Sequence, residues 1–148
     1  MSYNLKDIWN GDKTDLVWKI EPFRVLARIS LLGHKKEKSW VIIFCIANAI
    51  EIEKITLIFI YKYKSSHIMK NINYKNLSIY YFWNKKTWMQ VSIFNELLLK
   101  LNKIMKWKNQ KIIFLIDNVP VYFILDETQK KLDCLDVKFL SSNTTTEF

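Results

Sequence analysis

Three short apolar runs limit what this chain can fold into: Trp40-Val41-Ile42-Ile43-Phe44-Cys45-Ile46, Ile55-Thr56-Leu57-Ile58-Phe59-Ile60-Tyr61 and Ile112-Ile113-Phe114-Leu115-Ile116. Each is rich in β-branched and aromatic residues and has the length of a strand. The first two are apolar on both faces, which predicts central strands covered on each side. Glu51, Glu53 and Lys54 separate them, so an antiparallel pair joined by a polar turn is expected. Neither run approaches the roughly 20 uninterrupted apolar residues that cross a bilayer, and charges at the midpoint would be costly there.

The rest of the chain falls around these runs. Lys6-Asp7-Ile8-Trp9-Asn10 predicts a short strand and Gly11-Asp12-Lys13-Thr14 a turn. Alternation through Leu16-Val17-Trp18-Lys19-Ile20 then stops at Pro22, and Gly33 to Lys38 is a lysine-rich loop. Lys62 to Lys86 mixes Tyr74, Tyr80, Tyr81, Phe82 and Trp83 with Lys and Asn, and predicts mostly loop with one short strand. Thr87 followed by Gln90 has the form of a capping box. From there Val91, Phe94, Leu98, Leu101 and Met105 recur at helical spacing, widened by Ile93, Leu97 and Ile104. Asn95, Glu96, Lys100, Asn102, Lys103 and Lys106 are assigned to the wet face. A polar turn, Lys108 to Lys111, leads into the third apolar run, and Asp136 to Leu140 predicts a last strand before a polar tail. Helix followed by central strand predicts an α/β sheet, in one domain over residues 1–148.

Half of the 148 residues are apolar, enough for one buried core. The net charge of +9 favours an anionic partner, nucleic acid first, although a basic solvated surface would give the same total. Cys45 and Cys134 have neither metal-ligand spacing nor a disulfide pattern, and Cys45 is expected to be a buried thiol in a reducing compartment. The polar opening, Met1 to Asp15, has no signal-peptide core.

Asp117 directly follows an apolar run, where a carboxylate is costly unless solvated, paired or metal-bound. Ends of strands in open α/β sheets collect ligands. With Asn118 and Pro120 beside it, Asp117 also fits an ordinary turn, and Asn10-Gly11-Asp12 is likewise a turn signal. If the first and fourth strands were neighbours, Asp12 and Asp117 would meet and could hold a hard divalent cation. Other chemistries are poorly supplied. Two glycines make no phosphate loop, no Cys/His cluster exists for zinc, and His34 and His67 lie in basic loops without a partnered nucleophile. Tyr80 to Trp83 beside Lys85 and Lys86 could stack on bases or anchor a loop.

Five segments, in order, resemble the DDE superfamily endonuclease domain of Tigger, pogo, jerky and centromere-protein-B-like transposases. Asn10-Gly11-Asp12-Lys13-Thr14, with Leu16 to Lys19 and Pro22, is similar to the motif around the family's first aspartate. Gly33 to Ser39 resembles its basic loop. Lys70-Asn71-Ile72 and Tyr81 to Met89 resemble the approach to its helix. Ile113 to Pro120 is similar to the second-aspartate motif, and Val137 to Leu140 with Asn143-Thr144-Thr145 to the strand and segment that follow.

The resemblance implies an RNase H-like mixed sheet with flanking helices, incomplete at the C-terminus. It implies Asp12 and Asp117 as two catalytic, metal-binding acids for Mg²⁺ or Mn²⁺, a DNA partner and a nuclear location, with no small-molecule cofactor. The family's third acid lies beyond the Asn-Thr-Thr segment, and the sequence stops at Phe148 before it; Glu147 or Asp136 could stand in. Lys13 occupies the place of a glutamate, Asp15 of a glycine, Tyr122 of a histidine and Ser141-Ser142 of two prolines. The family's helix-turn-helix region would precede residue 1. The expectation is a nucleic-acid-binding domain with impaired catalysis; the alternatives are an active metal-dependent endonuclease and a transposon remnant without function.

Overall fold

The β-branched and aromatic runs do become strands, and they assemble into one mixed sheet. A computed structural model of the chain describes residues 3–19, 39–64 and 79–141. Pro22, the loop Gly33 to Lys38, both histidines, Lys70 to Ile72 and Ser142 to Phe148, including Asn143 to Thr145 and Glu147, lie outside the described residues. The described elements are β1 (Ile8–Lys19), β2 (Ser39–Asn48), β3 (Lys54–Tyr61), β4 (Ile79–Trp83), α1 (Val91–Trp107), β5 (Ile112–Asp117), α2 (Asp126–Gln129) and β6 (Leu135–Leu140). Their order across the sheet is β4-β3-β2-β1-β5-β6. The expected antiparallel pairing of β2 with β3 is present, β1 joins β2 antiparallel, and β3-β4, β1-β5 and β5-β6 are parallel. Glu51, at φ 56°, turns the β2-β3 connection, and Asn48 closes it by accepting at Oδ1 from the Glu53 amide at 3.1 Å.

Two expectations about the strands are corrected. Residues 11–14 are no turn: Gly11 to Thr14 continue β1, paired with Ile46 to Ile43, and the ladder runs on without interruption until Val17. The local turn propensity of Asn-Gly-Asp is overridden by a ladder to β2 that runs along the whole segment. Next, β2 alternates. Ile42, Phe44 and Ile46 are buried whereas Trp40 and Cys45 are exposed, so the strand is covered on one face among the described residues, and Cys45 is no core thiol. The one short strand expected between Lys62 and Lys86 is β4, at the edge of the sheet among the described residues. Lys100 of α1 lies over the Tyr80 and Phe82 rings at 4.9 and 4.8 Å.

Helix α1 lays Ile93, Phe94, Leu97, Leu98, Leu101 and Met105 on the covered face, into one cluster with Trp9, Phe44, Ile58, Ile60, Phe114 and Ile116. Each such fully buried side chain contributes about 1.5–3 kcal/mol. The helix begins later than the capping-box reading places it. Thr87 sits at φ 53°, outside helical space, and Gln90 is the N-cap, without a side-chain cap bond. It stops where expected. Asn109 at φ 52° sends its amide to Lys106 O at 3.1 Å and Gln110 sends its own to Met105 O at 3.0 Å, the paired bonds of a Schellman terminus.

Asn95 and Asn102 are buried rather than wet. Asn95 donates to Phe123 O at 2.8 Å and accepts from the Leu125 amide at 2.9 Å; seven residues on, Asn102 donates to Lys131 O and accepts from the Cys134 amide, both at 2.9 Å. They fasten the α2 segment to α1. Helical spacing placed them beside the apolar stripe, but their polarity hid that they face protein.

Candidate active site

The centre of the sheet determines where the two sequence-selected aspartates fall. Parallel β1 and β5 pair Ile8 with Ile113, Trp9 with Phe114 and Asn10 with Leu115. Continued two residues, that register sets Asp12 level with Asp117, the last residue of β5. Alternation along β1 sends Trp9 and Gly11 into the core and Asp12 outward; along β5 it buries Phe114 and Ile116 and exposes Asp117. Beyond that level β5 has ended while β1 runs on beside β2 alone, which leaves room for solvent at both carboxylates. Asp12 Oδ1 accepts from the Lys13 amide at 2.7 Å.

Gly11 explains how β1 fits there. A Cβ at this position would meet Phe114 Cζ at 2.5 Å and Phe44 Cε1 at 2.9 Å. The glycine that signals a turn in the sequence is instead needed because two buried rings close over the strand.

After Asp117 the chain bends through Val119, whose amide donates to Asp117 O at 3.0 Å, into a 3₁₀ turn at Pro120–Tyr122. Tyr122 is 3% exposed. Its ring packs on Phe94, centroid to centroid 4.9 Å, and edge-on to Phe44 at 6.1 Å. Burial, followed by the negative charges of Asp12 and Asp117, pushes its phenol up to about 12. One phenol thus feels both carboxylates, as the strand register requires.

Among the described residues no group of three or more His, Cys, Asp or Glu side chains is placed to hold a metal ion. Asp136 pairs in register with Ile113, at the far end of β5 from Asp117, and its carboxylate takes Lys138 Nζ at 3.1 Å. It does not complete the pair. Glu147 lies outside the described residues.

Sequence reading missed a cleft of about 810 Å³, which neither Asp12 nor Asp117 lines. Lys13 and Asp15 of β1, Trp40 of β2, Tyr61 to Tyr63 at the end of β3, Lys85 to Met89 and Val119 to Val121 line it. Lys85, Lys86 and Trp88 are close in sequence and were a legible signal. Trp40, Lys62 and Tyr63 reach the cleft only through the pairing of β2 with β3.

Comparisons with known proteins agree on the fold and the family. The family model described as "DDE superfamily endonuclease" matches residues 37–148, a span that includes Asp117 and leaves Asp12 outside. The mouse (Mus musculus) Tigger transposable element-derived protein 4 is 24% identical over 95% of this chain and 26% of its own length. The CENP-B homolog protein 2 of Schizosaccharomyces pombe is 29% identical over 97% of this chain and 29% of its own. The chain therefore spans between a quarter and a third of these relatives. Among solved structures, a pre-cleavage Mos1 transpososome aligns with TM-score 0.53 and 13% identity, over 93% of this chain and 37% of that one. A Mos1 transposase paired-end complex with left transposon end aligns at 0.51 and 14%, over 90% and 35%. These likenesses establish the RNase H-like fold. With the family model covering most of its length and both relatives aligned nearly end to end, the chain belongs to the DDE superfamily endonucleases, as a transposase-derived domain of the Tigger and CENP-B-like kind.

Proposed function

We propose that this domain holds nucleic acid, DNA foremost, and carries Asp12 and Asp117 as two acids of a divalent-metal site, without cutting DNA by itself. The observation that supports it is the β1-β5 register, which sets these two exposed carboxylates level on adjacent parallel strands. The donor set fits Mg²⁺ or Mn²⁺. Both are hard cations that take oxygen ligands, and Mg²⁺ commonly binds through one or two carboxylates while water and substrate phosphate fill the other positions. Such an ion supplies Lewis acidity and an activated water for phosphodiester hydrolysis. The protein's part is to fix the two carboxylates at one height, to hold Tyr122 as a neutral phenol beneath them and to draw in the backbone with its excess of lysine.

Among the described residues no third acid joins the two carboxylates, and a site of two gives weaker ion binding and less control of an attacking water, which is why we infer impaired catalysis. The nucleus is the compartment we assign, since it holds the DNA. No helix among the described residues is long and apolar enough to cross a membrane.

The test uses the purified 148-residue chain with supercoiled plasmid and Mg²⁺ or Mn²⁺. Retention of the plasmid that weakens steeply with salt, without nicking, is the expected result. Nicking that disappears in Asp117→Ala would reject the impaired reading in favour of an active endonuclease. Mn²⁺ binding followed by electron paramagnetic resonance should weaken in Asp12→Asn and in Asp117→Asn; unchanged binding in both would remove the metal site.

A further inference from the structure

We propose that the cleft between the ends of β1 and β3 and the segment Lys85 to Met89 is a site for unpaired nucleotides, whose bases stack on Trp88 and Trp40 while Lys13, Lys62, Lys85 and Lys86 take the phosphates. This rests on the nucleic-acid reading above and narrows it to one form of ligand.

Charge is the first ground. Four lysines face the cleft against a single acid, Asp15, and none of the four makes an ion pair with a described acid. A concave surface with one sign of charge concentrates the opposite ion.

The second ground is the way Trp88 is held. At 69% exposed it is unusual for its type. Its position is built rather than left over. The buried Asn84 accepts from the Lys86 amide at 3.1 Å and the Trp88 amide at 3.2 Å, and donates to Trp88 O at 2.6 Å. The Asn84 amide is itself tied to Tyr61 O at 3.0 Å, and the Thr87 amide returns to Asn84 O at 3.0 Å. Between them Thr87, a β-branched residue, is kept at φ 53°. Left-handed backbone at a β-branched residue persists only where the surroundings over-determine it, and such residues gather at ligand sites. The consequence here is a flat indole presented to solvent between two lysines and the cleft. Trp40, also exposed, stands on the sheet side of the same space.

Shape decides between paired and unpaired nucleic acid. Bases in a duplex are stacked on each other and offer no face to an indole, whereas single strands lay their bases on aromatic side chains and their backbone along lysines. At about 810 Å³ the cleft has the size of a small-ligand site. A major groove alone is about 12 Å wide, so a whole duplex would lie across such a cleft instead of entering it.

The test is fluorescence anisotropy with short labelled oligo(dT), oligo(U) and a duplex of equal length, with chelator present so that the aspartates play no part. The single strands should bind about tenfold or more tighter than the duplex and quench tryptophan emission, and the dT and U arms report whether DNA or RNA is preferred. Trp88→Ala should weaken single-strand binding about five- to hundred-fold, the range for loss of one base stack. Trp88→Phe should retain most of it, and Trp107→Ala, at the exposed end of α1, should change nothing. Circular dichroism of Trp88→Ala should match the parent, because the side chain is outside the core. Duplex binding equal to single-strand binding, or Trp88→Ala without effect, or with an equal loss on duplex, overturns the proposal while leaving the nucleic-acid reading intact. Failure of every oligonucleotide to bind removes both.

Discussion

Gly11 and Tyr122 decide how the two aspartates are presented, and each has a measurable consequence. Gly11→Ala places a methyl group 2.5 Å from Phe114 Cζ in a packed core. Overpacking of this kind costs about 1–3 kcal/mol, which denaturant unfolding should register as a lower midpoint with an unchanged slope. Tyr122 carries its proton to about pH 12, above the ordinary 10, because burial and then Asp12 and Asp117 disfavour the phenolate. The folded chain keeps this proton where the unfolded chain loses it. The stability it contributes is therefore complete below pH 10 and disappears as pH rises through about 12. Ultraviolet titration should show one of the seven tyrosines ionising last, and Asp12→Asn should bring that step to lower pH. No change in Asp12→Asn would mean the carboxylate is remote from the phenol, against the register of β1 with β5.

At the scale of elements, the fold depends on how α1 grips the segment that returns to β6. Asn95 and Asn102 each bond two backbone groups of that segment. Asn102→Ala would strand the Lys131 carbonyl and the Cys134 amide in a mostly buried place, at about 1–3 kcal/mol. Hydrogen exchange should show it first at the amide of Cys134, well before α1 itself opens. The binary pattern of α1 was readable because eight apolar residues follow the helical period. The two asparagines were misassigned because periodicity tells only whether a residue lies near the buried stripe. What packs there, apolar side chain or backbone, depends on a segment some thirty residues away. In the same way the stretch at Gly11 to Thr14 has turn chemistry and strand structure, since local preference is worth less than a continuous ladder to β2.

For the whole molecule, one core cluster joins α1 with β1, β2, β3 and β5, so unfolding should be a single cooperative transition. A broad transition with dye binding would instead indicate a transposon remnant that no longer packs. The charge is spread unevenly enough to test. If all four cleft lysines neutralise phosphates of a single strand, the logarithm of affinity should fall against the logarithm of salt with a slope of about −3. Replacing Lys85 and Lys86 with Gln should reduce that slope by about 1.4. An unchanged slope would assign the attraction to lysines elsewhere.

The sequence by itself determined the strand segments, the helix, the single core and the order of family-like motifs, because these depend on short-range pattern: side-chain branching, apolar period and spacing along the chain. It also singled out Asp12 and Asp117, but could not distinguish a turn residue from a site residue at either. Tertiary structure decided only what stands beside them. Putting β1 next to β5 in parallel, at a register fixed by the packing of Trp9, Gly11 and Phe114, turns two aspartates about a hundred residues apart into neighbours, and the same pairing of distant strands gathers the lysines and tryptophans of the cleft. Those are contacts between residues far apart in the chain, and no local preference encodes them.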